Sequence, residues 1–345
     1  MSAQAEPAAT SNVAAVSILF PVYNGEKYVR EAIESALNEQ KVALECVVLD
    51  DGSTDNSAWV IADIGDARVR YFHHPNRGLA ATLNRGIGLA RGRYIARLDQ
   101  DDLILPGRLA RQVEFLDQHS DCALVGTWSR ILEGDKPTSR GHQHPALNDT
   151  LRLELLFDNP FVHSSIMMRV EVVRSLGGYC EDRSRQPPED YELWSRIAHA
   201  YAVANIAEVL TVYREVDTSM SRAGPNPFLA NVVKIAGENL AEQLAPAFSR
   251  DTCRILAAVY HGQVSVPAKS GMPRGKALRM HELAALRIAG DKASWTAEFL
   301  DAFERQRAYL KSRFLWRRLP QALIGPARRV KRYFSDRARS SRRGA

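Results

Sequence analysis

From Val13 to Val22 nearly every residue is apolar, and the β-branched content and short length are those of a strand buried on both faces. The run stops at Tyr23-Asn24-Gly25. Asn24 reads as the N-cap of a helix in which Tyr28, Val29, Ala32, Ile33, Ala36 and Leu37 recur at helical spacing to about Gln40. The unit then returns, with Leu44 to Leu49 as a buried strand, Asp50 to Asp55 as a polar turn and a short helix from about Ser57. Val69 to Phe72 predicts a third strand, and a helix from about Leu79 to Ala90 leads to a fourth, Tyr94 to Leu98, which runs into Asp99-Gln100-Asp101-Asp102. Strands alternating with helices predict an α/β fold with a mostly parallel, Rossmann-like sheet flanked by helices. Ligands of such sheets sit beyond the carboxyl ends of the strands, so Pro21 to Asn24, Asp50 to Ser53 and Asp99 to Asp102 are expected to border one crevice.

Further along, the pattern predicts helices over Arg108 to Gln118, Val170 to Leu176 and Glu189 to Tyr201, a strand over Ala123 to Trp128 and a strand pair within Val203 to Tyr213. From about Pro227 the periodicity is helical only. The expected division is a disordered segment over 1–12, an α/β domain over 13–215, a helical C-terminal region over 216–312 and a basic amphipathic tail over 313–345.

Composition adds bounds. A chain of 345 residues, 45% hydrophobic and 25% charged, is long enough for about two globular units and is neither fibrous nor disordered as a whole. Cys46, Cys122, Cys180 and Cys253 lie far apart with no C-x-x-C pair, which argues against a disulfide framework or a cysteine zinc site and for a reduced, cytoplasmic protein. No apolar run reaches the roughly 18 residues of a membrane span, and the first residues lack the pattern of a secretion signal.

Charge is unevenly spread. Residues 305–345 hold 14 Lys and Arg against the single acid Asp336, a net of +13, so the rest of a chain whose total is +6 carries −7. Between Phe314 and Phe334, aromatic and aliphatic residues alternate with Arg317, Arg318, Arg328, Arg329, Lys331 and Arg332. Such a segment lies on an anionic membrane surface, each basic residue adding about 1 kcal/mol near the headgroups. A solvated, Arg-rich end is the other reading, and no nucleic-acid recognition motif accompanies the charge.

The strongest chemical signal is Asp99-Gln100-Asp101-Asp102, three carboxylates within four residues at the end of a buried strand. Like charges so close need solvent or a cation, and Mg²⁺ or Mn²⁺ takes oxygen ligands from one or two carboxylates and from substrate phosphates. In Asp50-Asp51-Gly52-Ser53, Ser53 or Asp55 serves as a helix cap while one carboxylate stays available to a base or ribose. Glu189-Asp190 opens a predicted helix, where acids serve the helix dipole, and it follows the Gly177-Gly178-Tyr179 turn and the Asp182 to Pro188 loop, a setting that also suits a catalytic carboxylate. His163 reads as a packed or solvated histidine or as one facing a ligand. Trp194 reads as core or as an aromatic surface on which a ligand stacks.

Six pieces stand in order: Phe20-Pro21-Val22-Tyr23-Asn24; Asp50 to Asp55; Asn76-Arg77-Gly78 with Asn84-Arg85-Gly86; Arg97 to Asp102; Pro106 with Arg108-Leu109; and Glu189 to Trp194. Together they resemble a family 2 glycosyltransferase of the GT-A fold over about residues 15 to 215. The resemblance implies an inverting transferase that moves a sugar from a nucleotide-diphosphate donor, most commonly a UDP-sugar with thymidine diphosphate as the other carrier, to a hydroxyl of a glycan or lipid-linked acceptor. Pro21, Val22, Tyr23 and Glu26 would line the base and ribose pocket, Asp51 would bind the base, and Arg77 and Asn84 would border the nucleotide. Asp99 would stand nearer the ribose, Asp101 would be the more direct ligand of Mn²⁺ or Mg²⁺, and Asp190 matches the general base.

Lack of a Q-x-x-R-W motif points to single additions rather than processive synthesis. Two rivals are a sugar-nucleotide nucleotidyltransferase, which calls for a Gly-rich loop where this chain has only Gly25, and an inactive nucleotide-sugar-binding membrane scaffold. The expected setting is cell-surface polysaccharide synthesis at the inner face of the cytoplasmic membrane.

Overall fold

A computed structural model describes residues 14–216, 228–263 and 271–316. They fall into two compact units, one running to Ile235 and the other starting at Ala236. The segment 1–12 and nearly all of the basic tail lie outside the described residues.

The first unit is built on a nine-stranded sheet of order β3-β2-β1-β4-β8-β6-β9-β5, with β7 hydrogen-bonded to β6. The strands are β1 (Val16–Val22), β2 (Leu44–Asp50), β3 (Val69–His73), β4 (Tyr94–Arg97), β5 (Leu103–Ile104), β6 (Cys122–Glu133), β7 (Lys136–His142), β8 (Met167–Arg169) and β9 (Ala202–Glu215). β3, β2, β1 and β4 are mutually parallel, while β8 is antiparallel to β4 and to β6. Because β1 sits between β2 and β4, the chain reverses its direction of travel across the sheet there. The carboxyl ends of β1 and β4 therefore open a crevice at a topological switch point.

Both faces of the sheet are covered, which is why β1 and β2 are buried along their whole length. Ile18, Phe20 and Val22 point to one face, against Val29, Ala32, Ile33 and Ala36 of α1 (Val29–Leu37), a stripe at positions i, i+3, i+4 and i+7. The same layer holds α2 (Ser57–Ala62) and α4 (Arg108–Gln118). Leu19, Val47 and Leu49 face the other way, against α3 (Leu79–Leu89), α6 (Val170–Ser175) and α7 (Glu189–Ala200). α5 (Asn148–Leu155) adds Leu151 and Leu155 to that second core.

Three local expectations change. Asn24 does not cap α1, which starts five residues later at Val29; it takes a left-handed conformation, φ 51°, and its side chain accepts from the Thr54 amide at 2.8 Å. The region read as a strand pair is the single strand β9. Its register against β6 jumps from Thr127↔Ile206 to Trp128↔Val209, so exposed Ala207 and Glu208 bulge out and mimic a turn in the sequence. The strand read over Ala123 to Trp128 continues to Glu133, and its hairpin partner β7, KPTSRGH, is too polar to announce itself.

In the second unit, α8 (Leu229–Leu244, which begins in the first unit), α9 (Arg250–Tyr260), α10 (Arg274–Ala289) and α11 (Ala297–Trp316) supply only helices. His281 of α10 stacks on Phe303 of α11 at 4.7 Å and pairs its Nε2 with Gln306 at 3.0 Å. Burial depresses the His281 imidazolium to about 4, so the core holds it neutral. Arg313 of α11 donates to the Tyr260 carbonyl at 3.1 Å. Among the described residues, no helix is long and apolar enough to cross a membrane.

Candidate active site

The three strand-end turns meet. After β1, the amides of Tyr23, Asn24, Gly25 and Glu26 donate in succession to Gln100, Ser53, Ser57 and Asp55 at 2.8 to 3.0 Å. Gln100 closes a reciprocal pair by donating to the Tyr23 carbonyl at 3.1 Å, which clips the middle of Asp99-Gln100-Asp101 to the end of β1. Glu26 accepts from the Asn56 amide and side chain at 2.9 Å each, and Asp55 accepts from the Ser57 amide at 3.0 Å, so both brace the start of α2. Ser53 is not the cap; it holds Asn24.

Asp51 is buried, and its oxygens receive the amides of Arg77 and Gly78 at 2.6 and 3.0 Å, with His74 Nδ1 at 3.4 Å. It therefore ties the Asn76–Gly78 turn to the end of β2. Gly52 must be glycine for this approach, since its φ is +82° and an added Cβ would stand 2.8 Å from the Asn76 amide nitrogen. Val22 is core, Pro21 is buried in register with Leu49, and Tyr23 at the crevice edge is 50% exposed. Arg77 stands exposed on the turn that Asp51 holds. Asn84 reaches from α3 to accept from the Tyr179 amide at 2.7 Å and to donate to the Tyr179 carbonyl and Glu181 at 2.9 and 2.7 Å. It fixes the chain leading to Glu189-Asp190.

Beneath the acidic turn lies a buried charge to which no local motif gives a role. Arg97, 1% exposed at the end of β4, sets Nη1 2.5 Å from Asp99 Oδ1, while Asp99 Oδ2 accepts from Ser164 Oγ at 2.8 Å. Asp102 is buried and accepts the Arg214 amide at 2.7 Å, and Arg214 Nε donates to the Asp101 carbonyl at 2.8 Å. Among the described residues no cation pairs directly with the Asp101 carboxylate, and Arg97 and Arg214 act on it only as more weakly felt charges. Burial, then neighbouring Asp99, pushes the Asp101 carboxyl up to about 6. Unneutralised charge of this kind is what a divalent cation relieves.

An all-oxygen donor set fits Mg²⁺ or Mn²⁺. Asp99 is already held by Arg97 and Ser164, so Asp101 is the carboxylate left to lead. No cluster of three or more potential metal ligands stands ready among the described residues, and ligands beyond the turn would come from the donor.

On the other side of the crevice, α7 begins with Glu189 and Asp190. Asp190 Oδ2 accepts from Asn159 Nδ2 at 2.7 Å and Oδ1 from the Tyr191 amide at 2.7 Å. Burial raises its carboxyl, and burial together with Asp190 pushes Glu189 up to about 7. Beside them, His163 Nε2 is 2.9 Å from the Tyr179 hydroxyl and its ring packs edge-on against Trp194. Burial, then Arg97, holds the His163 imidazolium well down, so it is a neutral packed ring; Trp194 is wholly buried core. Arg97, Asn159, Ser164, Tyr179 and Arg214 escaped the sequence reading as site residues, because their positions depend on contacts between strands and turns far apart in the chain.

A doubly covered sheet with an acidic turn at its switch point, facing carboxylates at the start of a helix, defines a GT-A-type transferase fold. Residues 17–177 match the family described as Glycosyl transferase family 2. The "putative glycosyltransferase EpsE" of Bacillus subtilis (strain 168) is 34% identical over 213 residues, covering 60% of this chain and 75% of EpsE. An uncharacterized glycosyltransferase of Haemophilus influenzae is 28% identical over 244 residues, covering 68% of this chain and 75% of that one. The chain belongs to glycosyltransferase family 2 and is a transferase.

Solved structures share the fold. Residues 1–349 of S. aureus TarS, in complex with UDP-GlcNAc, superpose with a TM-score of 0.56 at 15% identity, covering 86% of this chain and 91% of that one. The mannosyltransferase PcManGT from Pyrobaculum calidifontis, in complex with GDP-Man and Mn²⁺, gives 0.51 at 16% identity, covering 88% and 87%.

Proposed function

We propose that the protein is an inverting glycosyltransferase that uses a nucleotide-diphosphate sugar, with UDP the favoured carrier, and adds one sugar per encounter to a hydroxyl of a glycan or lipid-linked acceptor. The observation that carries this reading is the clip between Gln100 and Tyr23, which puts the Asp99–Asp102 turn at the end of β1 beside an exposed aromatic ring. In this reading Tyr23 offers the nucleotide base a stacking surface, Arg77 borders the nucleotide, Asp99 stands nearer the ribose and Asp101 faces the diphosphate. Asp101, with Asp99 in support, would hold a divalent ion, which when bound would supply Lewis-acid stabilisation of charge on the leaving diphosphate.

Asp190 takes the proton of the acceptor hydroxyl as its oxygen attacks the anomeric carbon. The bond from that carbon to the diphosphate oxygen breaks, and its electron pair leaves with the nucleotide. One displacement inverts the centre, so an α-linked donor gives a β-linked product. Positioned proton transfer contributes about 10²- to 10⁴-fold. Asp190→Asn is therefore expected to lower UDP release from UDP-sugars in the presence of glycan acceptors by at least about 100-fold, with UDP affinity kept. Turnover within a few-fold of wild type would remove Asp190 from the role of base. The family match sets aside the nucleotidyltransferase rival and the inactive scaffold.

The proposed setting is cell-surface glycan synthesis on the cytoplasmic side of the membrane, with the basic C-terminal segment on anionic lipid. Its charge supports this: each basic residue near such a surface is worth about 1 kcal/mol. The full chain is expected to co-sediment with anionic liposomes more than a chain ending at Trp316, the loss growing at low salt. Equal binding by both would contradict it.

A further inference from the structure

Asn159, His163 and Ser164 lie within six residues of one another and touch opposite sides of the crevice. Asn159 Nδ2 donates to Asp190 Oδ2 at 2.7 Å. Its own Oδ1 accepts the Phe161 amide at 3.1 Å, which fixes the amide's orientation so that Nδ2 faces the carboxylate. His163 packs between Tyr179 and Trp194, and Tyr179 is the residue that Asn84 grips at both backbone groups. Ser164, 1% exposed, donates to Asp99 Oδ2 at 2.8 Å and accepts from the Asp99 amide at 3.1 Å and from Arg97 Nη1 at 3.2 Å. Ser165 anchors the turn to the sheet: its hydroxyl accepts the Thr127 amide at 3.3 Å and its carbonyl accepts from Gln112 at 2.8 Å.

We infer that the segment from Asn159 to Ser164 is a positioning element that sets the base Asp190 and the donor-side carboxylate Asp99 at a fixed separation, with Asn159 holding the base and Ser164 holding Asp99. The inference rests on the assignments of Asp190 and Asp99 made above. Among the described residues, no other six-residue stretch has side chains hydrogen-bonded to both carboxylates. A displacement reaction needs the acceptor oxygen and the leaving group aligned, and misplacement of about 1 Å costs on the order of 100-fold. Two rigid side chains of one turn supply that alignment better than two separate loops.

The two contacts act on different properties, which makes them separable. A hydrogen bond donated to a carboxylate favours its charged form. Asp190 also faces Glu189 beside it on α7, Arg97 from β4 and the Tyr179 phenol from the preceding loop, and none of these is altered by a change at Asn159.

The test uses the full chain labelled with ¹³C at aspartate carboxyls, with Asp190→Asn assigning the Asp190 resonance, together with calorimetry of UDP in Mn²⁺. Asn159→Ala is expected to raise the Asp190 midpoint by about one pH unit and to leave UDP affinity unchanged. Ser164→Ala is expected to weaken UDP binding in Mn²⁺ by about tenfold and to leave the Asp190 midpoint in place. If Asn159→Ala does not unfold cooperatively, Asn159→Gln, which displaces the same amide, replaces it with the same expected direction.

An Asp190 midpoint that does not move in the Asn159 variant, or UDP affinity that does not move in Ser164→Ala, overturns the inference. Absence of UDP binding by wild type overturns the donor-site reading instead, and the Asn159 titration still decides its own half.

Discussion

At the residue scale, the site separates two carboxylates by what surrounds them. Asp99 sits against a buried guanidinium and a serine hydroxyl, so its charge is balanced by the protein; Asp101, two residues on, is raised to about 6 by burial and by Asp99. At the start of α7 burial raises both carboxyls. Glu189, ordinarily at 4.5, is pushed up to about 7 by burial and by Asp190. The native protein then holds more protons than the unfolded chain between those values, and stability falls as pH rises through that window. Glu189→Gln is expected to remove a loss on the order of 2 kcal/mol between pH 5 and 7.5, read as flattening of the urea midpoint against pH. An unchanged slope would place the charge burden elsewhere. Asp51, Asp99, Asp101 and Asp190 were readable from local motifs because each is a short polar interruption at a strand or helix end. Their partners were not: Arg97 lies in register with apolar neighbours, and Asn159 and Ser164 read as an ordinary loop until β8 folds beside β4.

At the scale of elements, β1 to β4 with α1 to α3 were legible because fully buried parallel strands and amphipathic helices carry distinct periods. The second half of the sheet was less so. β9 contains a bulge that reads as a break, β8 has three residues, and β7 is polar throughout. The link from α6 to α7 turns on Gly178, whose φ is +72° and where an added Cβ would stand 2.4 Å from Asn84 Oδ1. Arg196 reinforces the same link by donating to the Leu176 and Gly178 carbonyls at 2.6 Å each. Gly178→Ala is expected to cost about 1 to 3 kcal/mol, seen in thermal unfolding, because it combines left-handed strain with displacement of the Asn84 side chain. A cost near zero would mean that this turn relaxes freely and does not fix α7.

At the scale of the whole molecule, the fold accounts for where the chemistry sits. Parallel strands point their carboxyl ends one way, the reversal between β1 and β4 opens the crevice, and hydrogen bonds from Tyr23, Asn24, Gly25 and Glu26 lace its acidic turns together. The family membership and the shared fold establish the architecture on which that proposed site is built. Donor sugar, acceptor and linkage depend on pocket shape rather than on these motifs.

The most direct test of the account is calorimetry of UDP and thymidine diphosphate, with and without Mn²⁺, on the wild-type chain and on Asp101→Ala. Binding that needs Mn²⁺ and is lost in the variant is the predicted result. Nucleotide binding that is indifferent to Mn²⁺ and survives the change at Asp101, or no binding of either nucleotide, would contradict it.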